Sequence, residues 1–232
     1  MLVKNIFNRI KYYIETRKLF NRVSLEETNF SILDTETTGL HVEKGDQIIS
    51  VASLRVSNLK IGEEKILNEL VNPKMKIPEA SIKIHNITDD QVQAKPTLFE
   101  INEKILKFIK KSILVGHNIN FDINFLKENS KGSALAHRMK VIKAIDTIYL
   151  TASLFPDLKN YELTNLCNFF EIKTDDQTRH SALGDCIITA RLFLYLLNIA
   201  KSKGVKNISD LIGLCNRGQN LHHIIKNAKN IH

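Results

Sequence analysis

The stretch FSILDTETTGL, residues 30–40, decides how the rest of the chain is read. Phe30, Ile32 and Leu33 form a short apolar run with aromatic and β-branched members, the composition of a buried strand, placed at 29–33. Two carboxylates, Asp34 and Glu36, follow with one residue between them. If the chain stays extended through them, side-chain alternation sends both to one side. Two like charges at the mouth of a core need a counter-charge. No arginine or lysine lies between Val23 and Glu43. Divalent cations, Mg²⁺ or Mn²⁺, meet that need with carboxylate oxygens as ligands.

Working outward, further acids stand in otherwise apolar neighbourhoods. Asp122 lies in GHNINFDINFL, just after the strand-like ILV, and Asp185 lies in RHSALGDC, at the entry to the apolar run CIITARLFLYLLNIA. His180 precedes Asp185 by five positions, on a loop or first turn. Histidine is the side-chain type suited to moving protons near neutrality.

Around these points the hydrophobic period switches between two and 3.6. DQIISVASLRV and KILNELV continue the first strand as an antiparallel meander. Pro78 opens the short helix PEASIKIH, and TLFEINEKILKFIK carries a helical stripe of Leu98, Ile101, Ile105, Leu106 and Ile109. ILVGHN and VIKAIDT read as strands, and FDINFLKENS and YELTNLCNFF as helices. The tail reads as two small helices separated by Gly218. The fold class is α/β, a mixed central sheet with helices on both faces. The expected organisation is a basic amphipathic helical extension over 1–28, a catalytic domain over 29–200 and a helical extension over 201–232. In the first of these, Leu2, Val3, Ile6, Phe7, Ile10, Tyr13 and Ile14 share one helical face.

Composition narrows the function classes. A formal charge of +8 over 232 residues favours an acidic partner, nucleic acid before a membrane surface. Cys167, Cys186 and Cys215 form no CxxC pair and no zinc pattern, which excludes a thiol-redox motif and fits a reduced, cytoplasmic setting. No uninterrupted apolar run reaches membrane-spanning length, and a membrane partner is not expected.

DTETTGL, HNINFDINFL and HSALGD, in this order and spacing, resemble the three motifs of the DnaQ-like 3′-5′ exonucleases with the Asp-Glu-Asp-Asp-His set. That group includes the proofreading subunits of bacterial replicative polymerases. The resemblance covers about residues 29–200 and implies a ribonuclease H-like fold. It further implies two divalent ions held by Asp34, Glu36, Asp122 and Asp185, with His180 as general base toward the attacking water. Thr37, Thr38, Leu40, His85, Asn118 and Phe121 match positions that meet the terminal nucleotide. Ser50 stands where many relatives have glutamate, and Asn86 where glycine is usual. The implied activity is removal of nucleoside 5′-monophosphates from the 3′ end of DNA, in proofreading or repair, with single-stranded or 3′-terminal DNA and a DNA polymerase as partners. An RNA 3′-end trimming exonuclease and a non-catalytic nucleic-acid-binding module are the alternatives.

Overall fold

The computed structural model describes residues 23–229. The expected N-terminal amphipathic helix lies outside them. The first strand does not stop at Leu33: β1 (Phe30–Thr37) runs on through both acids. β2 (Ile48–Ser57) and β3 (Lys60–Leu70) follow as the expected meander. Asn58 and Leu59, both at positive φ (52° and 57°), make the tight turn between them. After α1 (Glu79–His85), α2 (Asp89–Val92) and α3 (Leu98–Ile109) comes β4 (Ile113–Gly116). Then follow α4 (Ile119–Asn129), α5 (Ala134–Met139) and β5 (Ala144–Asp146). α6 (Thr147–Leu154), α7 (Leu163–Phe169) and α8 (Ala182–Ser202) complete the body. The sheet order is β3-β2-β1-β4-β5, with β4 parallel to β1 and β5 parallel to β4. The sheet is therefore mixed, and β1 is its central strand.

Alternation along β1 divides the core in two. Phe30 and Ile32 face one side, where they pack with Ile188, Leu192 and Phe193 of α8. The rings of Phe30 and Phe193 meet edge to face at 5.0 Å between centroids. Leu33 faces the other side and packs with Ile101 and Ile105 of α3 and Phe125 of α4. Each of these buried side chains contributes roughly 1.5–3 kcal/mol of apolar burial. α8 is long and apolar enough by length and composition to cross a membrane. Its apolar character instead serves the core: Cys186, Ile188, Leu192 and Phe193 are fully buried, with the Cys186 thiol 3.3 Å from the Ala52 carbonyl oxygen of β2.

The tail departs from expectation. In place of two short helices there is one, α9 (Ile208–Lys229), continuous through Gly218. A glycine inside a helix costs roughly 1 kcal/mol against alanine, so it needs a packing reason. A Cβ at 218 would run into the Tyr149 carbonyl oxygen and lie 2.9 Å from the Ser153 nitrogen, both in α6. The missing side chain lets α9 seat directly on α6, and Ile208, Leu211 and Leu214 join the α8-side core. Residues before β1 join it as well: Leu25 is fully buried, and Glu26 pairs with Lys201.

Candidate active site

The same alternation that divides the core delivers the acids. Asp34 and Glu36 fall on the Phe30–Ile32 face, under the start of α8. Their cross-strand neighbours on β2 are the small residues Ala52 and Ser50. Asp185, in the first turns of α8, completes the group, and one oxygen from each of Asp34, Glu36 and Asp185 lies within 4.8 Å of the others. Thr35 points to the opposite face. Its hydroxyl donates a 2.7 Å hydrogen bond to Oδ1 of Asp122, in the first turn of α4. Asp122 is not one of the three whose oxygens converge; held by the residue between the first two acids, it acts on Asp34 and Glu36 through its charge. The ladder slips between Glu36 and Thr37, which ends regular pairing at the site.

The loop before α8 is equally constrained. Ser181 caps the helix, accepting from the Gly184 N–H at 3.2 Å and donating to the Thr178 carbonyl at 2.7 Å. A Cβ at 184 would strike that Thr178 carbonyl, so glycine is needed for the loop to lie on the first turn. The backbone at His180 is left-handed (φ 57°), an uncommon conformation for a residue with a side chain, and the residue is exposed. Arg179 turns inward and pairs with Asp185, while its buried Nε has no partner. The arginine missing from the local sequence is supplied in space: burial raises the carboxyls of Asp34, Glu36 and Asp185, and the Arg179 charge opposes part of that rise.

One guanidinium does not balance the acids. Burial, then the charges of Asp122, Asp185 and Glu36, hold Asp34 well above the usual carboxylate range. Burial pushes Glu36 up to about 7, with Asp185 and Asp122 adding to it. Asp122 is likewise pushed to about 7 by burial, against the Thr35 hydrogen bond. Asp185 is raised by burial despite Arg179. Carboxylate oxygens this close, and this reluctant to ionise alone, fit hard divalent cations, which would restore the charged form.

Asp34, Asn118, Arg179, His180 and Asp185 line one cleft of about 810 Å³. His85 instead borders a second cavity of about 440 Å³, with Ser50, Thr178 and Gly184. Its ring is buried, Nδ1 accepting from the Ile87 N–H at 3.0 Å and Nε2 unpartnered. Phe121 packs on Phe125 at 4.6 Å, and Leu40 is 75% exposed. Thr37 and Thr38 are buried, with hydroxyls donating to the Gly39 carbonyl and the Asp46 carboxylate. These five lie outside the lining of the larger cleft.

Two residues of the site escaped sequence reasoning. Asp146 accepts from the N–H groups of Asn118 (3.1 Å) and Ile148 (2.9 Å), so it caps α6 and pins the start of α4. Burial raises it to about 6. Its sequence signal was an aspartate at a strand-to-helix junction, AIDTIYL. His117 lines the cleft, its Nδ1 2.8 Å from the Thr147 hydroxyl, and burial with the nearby Arg179 charge lowers it to about 4.

Comparison with known proteins agrees with this architecture. The exonuclease family of the RNase T type matches residues 31–193. A DNA polymerase III subunit epsilon-like protein of Rhodobacter capsulatus is 34% identical over 78% of this chain, which spans 25% of that protein. The DNA polymerase III subunit epsilon of Rickettsia typhi is also 34% identical, over 71% of this chain and 72% of its own length. A solved structure of exonuclease X in complex with 5′ overhanging duplex DNA superposes with a TM-score of 0.59 at 26% identity, covering 80% of this chain and 99% of that one. With the acids of its three motifs carried on β1, the first turn of α4 and the start of α8, the chain belongs to the DnaQ-like exonuclease family.

Proposed function

We propose that the chain is a metal-dependent 3′-5′ exonuclease that releases nucleoside 5′-monophosphates from the 3′ end of DNA. The observation that carries this reading is the convergence of Asp34, Glu36 and Asp185, with ligand atoms within 4.8 Å of one another, beside a cleft of about 810 Å³. These three acids, with Asp122, would hold two divalent ions, Mg²⁺ or Mn²⁺. Such ions, when bound, lower the pKa of water and stabilise charge on the phosphorus oxygens and the leaving 3′-oxygen. The chain supplies the rest. His180, exposed on its strained loop at the cleft, accepts the proton of the attacking water. Asn118, lining the same cleft, meets the terminal nucleotide, and Thr37, Thr38, Leu40, His85 and Phe121 shape its surroundings from the end of β1, the loop after it, the end of α1 and α4. Residues 29–200 form the catalytic body, flanked by the extensions over 1–28 and 201–232.

Similarity to DNA polymerase III subunits supports a proofreading role with a polymerase partner, and three buried free cysteines fit a reducing cytoplasm. The test uses 5′-labelled single-stranded DNA and RNA of one sequence, with Mg²⁺, Mn²⁺ or chelator. Asp122→Asn is the blank, because the amide oxygen can still accept from Thr35. Metal-dependent shortening of DNA from its 3′ end, absent in the blank, supports the reading. Faster shortening of RNA assigns the chain to RNA trimming, and no shortening of either leaves a binding module.

A further inference from the structure

Arg179 sits among the acids, yet the exonuclease reading gives it no part. Its side chain turns in from the loop before α8 and lines the cleft with Asp34 and Asp185. Nη1 of the guanidinium pairs with Oδ1 of Asp185, while Nε is buried without a partner. An arginine held permanently on a carboxylate commonly engages it through two parallel N–H groups. The same loop shows that arrangement a few residues away, where Arg191 of α8 grips Asp176 through Nη1 at 2.6 Å and Nη2 at 2.8 Å. Ser181, capping α8, anchors the other end. Between these anchors stand Arg179, turned inward, and His180, exposed with a left-handed backbone.

We propose that Arg179 is the site's removable counter-ion: it neutralises Asp185 when no metal is bound and yields that carboxylate to an incoming divalent ion. The inference rests on the metal-dependent reading above and deepens it, because Arg179 then sets how tightly metal is held and ties the loop bearing His180 to metal binding. Three features favour this over a permanent ion pair. Asp185 is one of the three acids whose oxygens converge within 4.8 Å, so guanidinium and metal call on the same carboxylate. Two divalent ions already balance the charges of Asp34, Glu36, Asp122 and Asp185, and a guanidinium beside them is a further positive charge that they repel. The hold on Asp185 is also a weak one, since a buried N–H left unpaired offsets part of what the pair contributes. With Asp176 and Ser181 anchored independently, Arg179 lets go without the loop unfolding.

The experiment compares Arg179→Gln, Arg179→Lys and Lys159→Gln with wild type by Mn²⁺ titration calorimetry and by thermal melting in EDTA and in saturating Mn²⁺. Lys159 lines the same cleft and controls for the loss of a cation nearby. By linkage, whatever the pair with Arg179 contributes and metal binding removes returns as metal affinity once Arg179 is gone. Arg179→Gln should therefore bind Mn²⁺ about five- to twentyfold more tightly, with Arg179→Lys and Lys159→Gln within about threefold of wild type. In EDTA the glutamine variant should melt below wild type, and in saturating Mn²⁺ the difference should vanish. A variant that folds only with Mn²⁺ is the same result at its limit. An equal fall in melting point under both conditions means a permanent structural pair and overturns the proposal. Mn²⁺ affinity unchanged or weaker in Arg179→Gln overturns it too, as does equal tightening in either lysine-bearing comparison. Wild type that takes up no Mn²⁺ would overturn the metal-dependent reading itself.

Discussion

Replacing Glu36 with glutamine should stabilise the metal-free protein, and only at high pH. In the fold the Glu36 carboxyl is raised from 4.5 to about 7, by burial first and then by the Asp185 and Asp122 charges. A carboxyl whose folded pKa lies above its unfolded one contributes nothing below pH 4.5, where both states are protonated. As pH rises toward 7 the unfolded chain ionises first, so stability falls, and above 7 the full penalty is present. At 1.36 kcal/mol per tenfold, the difference between 4.5 and about 7 corresponds to about 3 kcal/mol, with 2 a fair figure after screening by solvent at this partly buried site. Glutamine has the same shape and no charge to bury. For a chain of this size roughly 2–4 °C follows each kcal/mol, so Glu36→Gln should melt about 4–12 °C above wild type at pH 8 in chelator. At pH 4.5 the two should coincide. Scanning calorimetry at both pH values, with EDTA, measures it. Excess Mn²⁺ at pH 8 should then raise wild type more than the variant, because ligand that binds the native state stabilises it by mass action. A gap of the same size at both pH values, or a variant no more stable at pH 8, would refute the reasoning.

The other expectations are local. Thr35→Val removes the hydroxyl that steadies ionised Asp122 and should weaken Mn²⁺ binding about tenfold, from a charge-assisted hydrogen bond of roughly 1.5–3 kcal/mol, read by titration calorimetry. Gly218→Val drives a side chain into the Tyr149 carbonyl and should cost about 3 kcal/mol or more, lowering the melting point by roughly 6–12 °C. A thiol reagent at pH 8 should label no cysteine in the native protein and three after guanidinium. Burial raises Cys167 to about 11 and Cys215 to about 12, and holds Cys186 well above the ordinary thiol range.

What was legible in the sequence was whatever a single element's period decides. Alternation alone puts Asp34 and Glu36 on one face, and a helix starting near residue 182 brings Asp185 within reach. The mixed sheet follows from a meander succeeded by strands separated by helices. What was not legible depends on two elements meeting. Arg179 pairs with Asp185 because Gly184 lets the Thr178 carbonyl lie on the first turn of α8. Gly218 reads as a break until Tyr149 is known to lie beneath it. The first strand was read as ending at Leu33, where its apolar run stops, yet the antiparallel ladder with β2 continues from Phe30 to Thr37 and carries the backbone through both acids, beyond the point where pairing with β4 has ended at Ile32.

The consequence is that one strand's register controls the whole site. Even-numbered residues of β1 supply two of the acids and, between them, the odd-numbered Thr35 holds a third from the opposite layer. A slip of one residue would send Asp34 and Glu36 into the α4 side and leave Thr35 under α8, exchanging every role at once. Fully buried Phe30, Ile32 and Leu33 forbid that slip, since it would also turn each of them into the wrong core. The packing that pins the register therefore also confines the carboxylates at a distance they do not favour on their own. Stability given up there is what makes the site bind cations, and the metal-free fold should show it as a deficit that a single neutral substitution relieves.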